Sequence, residues 1–118
     1  MKKVAIPIFQ NRVSPVLDTC QHILVINISK GSEIDRENVF LGDMSLNERC
    51  NIFEKLSVSV IICGGVSETF GKIFKRAKIQ LINGIAGEVE EVLSAYMDGC
   101  LDNPKFYMPG FRASDKRL

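Results

Sequence analysis

Twice in this chain a short run of β-favouring apolar residues meets glycine and then opens into a helix. The segments are Val60-Ile61-Ile62-Cys63-Gly64-Gly65-Val66-Ser67 and Leu81-Ile82-Asn83-Gly84-Ile85-Ala86-Gly87-Glu88. Successive strand-to-helix corners force strand–helix–strand crossovers, which are right-handed and lay parallel strands in one sheet. Glycine at the corner permits positive φ and close approach to the backbone. The helix that follows aims free N–H groups above the strand ends. The pair predicts a crevice of anion-binding character at one edge of an α/β sheet.

The remaining elements fit around these corners. Lys3–Phe9 reads as a buried strand, with Pro7 tolerable near an edge or bulge. Residues 10–18 read as a loop punctuated by Ser14-Pro15, and His22–Ile28 is a second β-branched run. Lys30-Gly31-Ser32 signals a turn into a third strand around Asn38–Leu41. Connections this short suit antiparallel pairing. Ser45-Leu46-Asn47-Glu48 is a capping box, and Leu46, Cys50, Phe53 and Leu56 follow at helical spacing. Strand Val58–Cys63, a helix from Ser67, strand Ile79–Ile82 and helix Ala86–Asp98 complete the order. That order, β-β-β-α-β-α-β-α, predicts a single α/β domain with a five-stranded mixed sheet and helices on both faces, the ribonuclease-H-like arrangement. The domain is expected over residues 1–110, with 111–118 a basic, solvated tail carrying Arg112, Lys116 and Arg117.

Bulk properties narrow the function. A net charge of +1 gives no reason to expect nucleic acid as a partner. No stretch approaches the ~20 apolar residues that span a bilayer, and Pro7, Gln10, Asn11 and Arg12 interrupt the signal-peptide-like start. Cys20, Cys50, Cys63 and Cys100 are far apart, with no C-x-x-C pair, so they read as reduced thiols in a cytoplasmic protein.

The fold raises a nuclease, but strands 4–9 and 60–63 lack the carboxylates that two-metal catalysis needs. Glu88, Glu90 and Glu91 open a helix, where acids favour the dipole. His22 is the sole histidine, no base is paired with Ser14 or Ser67, and Gly64-Gly65 lacks the further glycine and lysine of a P-loop. No catalytic pair emerges, and the expectation is a protein that is not an enzyme. What remains is a site of backbone donors and soft side chains. Cys63 ends a strand beside Gly64-Gly65, and Cys20 and His22 follow the first loop; thiolate and imidazole suit iron and copper–sulfur chemistry. Arg12 would balance anionic sulfide. Cys50 reads as core filler; Cys63 reads equally as ligand or filler, and Cys100 is open to either reading.

These residues resemble the dinitrogenase iron–molybdenum cofactor biosynthesis family. The matching pieces are Val4-Ala5-Ile6-Pro7, Arg12-Val13-Ser14-Pro15, Ile62-Cys63-Gly64-Gly65-Val66-Ser67, Gly84–Leu93 and Met108-Pro109-Gly110. The resemblance implies the ribonuclease-H-like fold without nuclease activity, binding of iron–sulfur or molybdenum-containing clusters, and handover to a cofactor-assembly or recipient protein. It departs at Val16-Leu17-Asp18, where many members carry His-Phe-Gly, so that cluster-holding histidine is missing. The expected site is therefore Cys63, Cys20 and His22 as metal ligands, Gly64, Gly65, Gly84 and Gly87 for close approach, and Arg12 for charge. The alternative is a regulatory or scaffold module that binds a protein partner and no metal.

Overall fold

The sheet is built around β1 (Lys2–Phe9), whose apolar middle Val4-Ala5-Ile6 has no exposure. The computed structural model describes residues 2–109. β1 turns through Gln10, at φ 58°, into the two-residue β2 (Arg12–Val13), so Ile8 pairs with Val13 and Phe9 with Arg12. β3 (His22–Ser29) runs antiparallel to β1, from Ile8↔His22 to Lys2↔Ile28. β4 (Ser32–Phe40) pairs antiparallel with β3. Their two-residue turn places Lys30 and Gly31 at φ 53° and 76°, the conformation that matches strand twist. β5 (Val60–Ile62) lies parallel to β1 on its other side, and β6 (Gln80–Ile82) parallel to β5. The order is β4-β3-β1-β5-β6, with β2 attached to β1.

Three helices cover this mixed sheet. α1 (Leu46–Lys55) is held at its start by the reciprocal Ser45–Glu48 capping box, and α2 (Glu68–Arg76) by the Ser67 hydroxyl, which accepts from Phe70 N–H. Strand alternation divides the core in two. Val4, Ile6, Leu24, Ile26, Val60 and Ile62 pack with Val89, Val92 and Leu93 of α3 (Val89–Met97). Ala5, Ile23, Val25 and Ile61 pack with Cys50 and Phe53 of α1 and Phe70 and Phe74 of α2. Helices on both faces, as expected, follow from this alternation.

The differences from expectation have local causes. The first loop contributes β2, so the sheet has six strands rather than five. β4 begins six residues before Asn38, although Glu33, Asp35, Arg36 and Glu37 are poor strand formers. On an edge strand such charges face solvent and β3 supplies the template. α3 starts at Val89, not Ala86: Ala86 N–H donates to Phe106 O, Gly87 O accepts from Val13 N–H, and Gly87 sits at φ 135°. Those groups are bonded sideways, not along a helix. Pro7 is accommodated because β5 pairs only with Val4 and Ala5. The expected boundary at residue 110 and the tail 111–118 lie outside the described residues.

Candidate functional site

The carboxyl ends of β1, β5 and β6 meet the start of β3 at one end of the sheet, where both glycine corners lie. The first corner is not open. Gly65 N–H donates to Pro15 O at 2.7 Å, and Leu17 N–H donates to Gly65 O at 2.8 Å, so the first loop lies along Gly64-Gly65 as an added strand-like segment. A Cβ on Gly64 would stand 2.7 Å from Pro15 O and 2.8 Å from Ser14 O. The close approach that these glycines permit is taken by the chain's own loop.

The second corner is similarly occupied. Gly84, at φ 77°, donates to Gly64 O and accepts from Met108 N–H, both at 2.9 Å. Gly87 O binds Val13 N–H at 3.0 Å. The amide of Ser67 at the head of α2 donates to the Asp18 carboxylate at 2.9 Å. The expected notch of free donors above the corners is thus filled from within by residues 13–18 and 106–108. Asp18 serves here as a helix-terminal acceptor.

A groove of about 560 Å³ lies beside this plug, between the end of β1 and the start of β3. Cys20 and His22 line it together with Phe9, Ser14, Pro15 and Thr19. A tilted ring contact of His22 with Phe40 (centroids 5.1 Å apart, planes at 49°) and a 3.2 Å contact from Nδ1 to Asn38 Oδ1 fix the imidazole. In the neutral ring Nδ1–H donates to that oxygen, leaving Nε2 with its lone pair; a second partner of this kind commonly orients a ligating histidine. Phe9, which lines the groove, and Phe40, which touches His22, are 64% and 63% exposed.

Cys63 is separate from this groove. It has no exposure and packs among Leu17, Ile61 and Phe70, and burial pushes its thiol up to about 12. Cys20 is 4% exposed and its thiol is pushed up to about 11, again chiefly by burial, with Arg49 pulling the other way and Asp18 adding to the rise. Cys50 packs in the same core and is also raised by burial, in keeping with filler, while Cys100 is exposed behind α3. Cys20 and His22 thus both line the groove, although the Cys20 side chain belongs to the same buried cluster as Cys63, which lies beneath the loop. Among the described residues no group of three or more His, Cys, Asp or Glu side chains is arranged to hold a metal ion.

Arg12 lies on β2, where its backbone bridges Glu88, and it does not line the groove. The buried cation near Cys20 is Arg49 of α1, 6% exposed. Its Nε donates to Met44 O at 2.9 Å, Nη2 to Gly42 O at 2.8 Å, and Nη1 to Cys20 O. Sequence reasoning passed over it, although a signal was present. Arg49 falls one residue before Cys50 and four before Phe53, the other buried positions of α1.

The sequence profile described as dinitrogenase iron-molybdenum cofactor matches residues 1–99. The chain belongs to that family. No curated protein sequence matches it. Among solved structures, PH0822 superposes with a TM-score of 0.78 at 18% identity, covering 82% of this chain and 89% of that one. MJ0327 from Methanocaldococcus jannaschii gives 0.71 at 23% identity, covering 83% and 89%. The apo form of the orange protein from Desulfovibrio gigas gives 0.72 at 16% identity, covering 85% and 90%. These superpositions establish a shared fold. No helix among the described residues is long and apolar enough to cross a membrane.

Proposed function

We propose that this chain is a cytoplasmic protein that binds or carries an iron–sulfur or molybdenum-containing cluster during metallocofactor assembly and passes it to a recipient protein. The observation that carries the reading is the meeting of Cys20 and His22, two soft donors, on one groove in a member of the iron–molybdenum cofactor family. The cluster is cargo, not a resident cofactor, and the chain does not turn over substrate. The fold is taken as ribonuclease-H-like; β1 and β5 carry no carboxylate with which to run nuclease chemistry.

In this reading Cys20 is the first protein ligand and His22 the second, with cluster sulfide and the recipient completing the shell. Cys63, placed first from sequence, joins only when the 14–18 loop lifts off Gly64-Gly65. A thiol pushed up to about 11 must lose its proton on coordination, so binding strengthens as pH rises. Anaerobic reconstitution with ferrous iron and sulfide tests the proposal. A visible chromophore that stays with the protein through gel filtration is expected, and its absence defeats the reading.

One observation favours the second reading, a scaffold module without metal: Phe9 and Phe40 are large exposed apolar side chains while Cys63 is sealed. Thiol labelling of native protein separates the two. The carrier reading expects Cys20 to label ahead of Cys63, whereas equal, very slow labelling of both favours the scaffold.

A further inference from the structure

Arg49 is a buried charge without a countercharge. All three of its partners, Cys20 O, Gly42 O and Met44 O, are neutral carbonyls. The side-chain ion pairs among the described residues involve Arg36 and Lys72, and no carboxylate lies within salt-bridge reach of Arg49. Carbonyls satisfy its donors but leave its charge in place, and an uncompensated buried charge is costly unless something offsets it. Its influence extends toward the groove, because one of the three carbonyls belongs to Cys20, which lines it.

The surroundings do little to cancel this field. No carboxylate lines the groove; the β1 end contributes Phe9 and Gln10, the first loop Ser14 and Pro15, and the remaining wall Thr19, Cys20, Gln21 and His22. Asp18 is the nearby acid, and its carboxylate is engaged by the Ser67 amide. At the Cys20 thiol, Arg49 acts more strongly than Asp18.

We propose that Arg49 makes this groove select anionic occupants, pinning the Cys20 segment through its carbonyl and supplying positive charge from behind the wall. The inference rests on the carrier reading and deepens it by fixing the charge class of the cargo. A sulfide-bridged, net-anionic cluster suits the groove, and a bare divalent cation does not.

The test needs no metal. Native protein carrying Cys100→Ser is labelled with methanethiosulfonates of equal size, one bearing a sulfonate and one a trimethylammonium group, and Cys20 modification is followed by peptide mass mapping. Each rate is normalised to that of a small free thiol with the same reagent. Taking the ratio of the two at one pH cancels the thiolate fraction. The anionic reagent is expected to react roughly fivefold faster or more, as one unit charge at this range allows. Arg49→Met should bring the ratio to about one, Arg49→Lys should retain the preference, and Asp18→Asn, which keeps an acceptor for Ser67, should increase it. Equal or faster reaction of the cationic reagent with Cys100→Ser protein, or a ratio unmoved by Arg49→Met, overturns the proposal. If Arg49→Met fails to fold, a ratio unmoved by Asp18→Asn does the same. An intact anionic preference in a protein that takes up no iron and sulfide would sink the carrier reading alone, whereas cluster uptake without the preference would sink this inference alone.

Discussion

At the scale of single residues, what matters is which groups are sealed and which reach the surface. Gly64 is glycine because two backbone carbonyls of the first loop stand where its Cβ would be. Backbone cannot yield as a flexible side chain can, so Gly64→Ala should cost about 1–3 kcal/mol. Gly65→Ala, whose nearest contact is 3.2 Å from Pro15 O, should cost less. Urea midpoints of the two variants, compared at unchanged m-value, check the ranking. Burial of Cys63 and the groove position of Cys20 were not legible in the sequence. Both follow short apolar or loop segments, and only the path of residues 14–18 decides which thiol the loop covers. Arg49 was legible in principle, as a charge four residues before Phe53, but nothing local told which carbonyls it would meet.

At the scale of elements, the sequence spoke clearly where caps and periodicity agree. The Ser45–Glu48 box and the Ser67 cap start α1 and α2 where expected, because each hydroxyl takes up an otherwise unpaired N–H. Ser45→Ala should therefore lower stability by about 1 kcal/mol, measured by urea denaturation, with Ser67→Ala comparable. The edge-to-face trio Phe53–Phe74–Phe70 ties α1 to α2, and Phe74→Ala should cost about 3–5 kcal/mol. Periodicity was less informative where tertiary bonding overrides it. Gly87 and Ala86 looked like the first turn of a helix and instead hold Val13 and Phe106. The charged sequence of β4 hid a strand that exists because β3 templates it. Arg36 adds to this by gripping Glu33 and reaching Glu90 on α3, which holds both carboxylates below their usual range.

At the scale of the whole molecule, Cys20 and Cys63, two of the three buried thiols, make stability depend on pH in the alkaline range. Folding raises Cys20 and Cys63 from 9.0 to about 11 and about 12, so the folded state holds these protons more tightly than the unfolded chain. Their contribution is fully present below 9.0, and it is lost progressively as pH rises through about 11 to about 12. Urea unfolding on either side of that window should show the decline, and Cys63→Ala should flatten it. On the proposed carrier reading the same protons link folding to function: a cluster that takes Cys20 as thiolate must displace one, and the proposed role of Arg49 is to offset the charge it brings.

The carrier account depends on Cys20, and its most direct measurement is iron and sulfide content after anaerobic reconstitution of the unaltered chain, Cys20→Ser and Cys63→Ser. The account predicts bound iron and sulfide in the first, loss of both in Cys20→Ser, and near-unaltered content in Cys63→Ser. Iron and sulfide retained by Cys20→Ser at the level of the unaltered chain would contradict it.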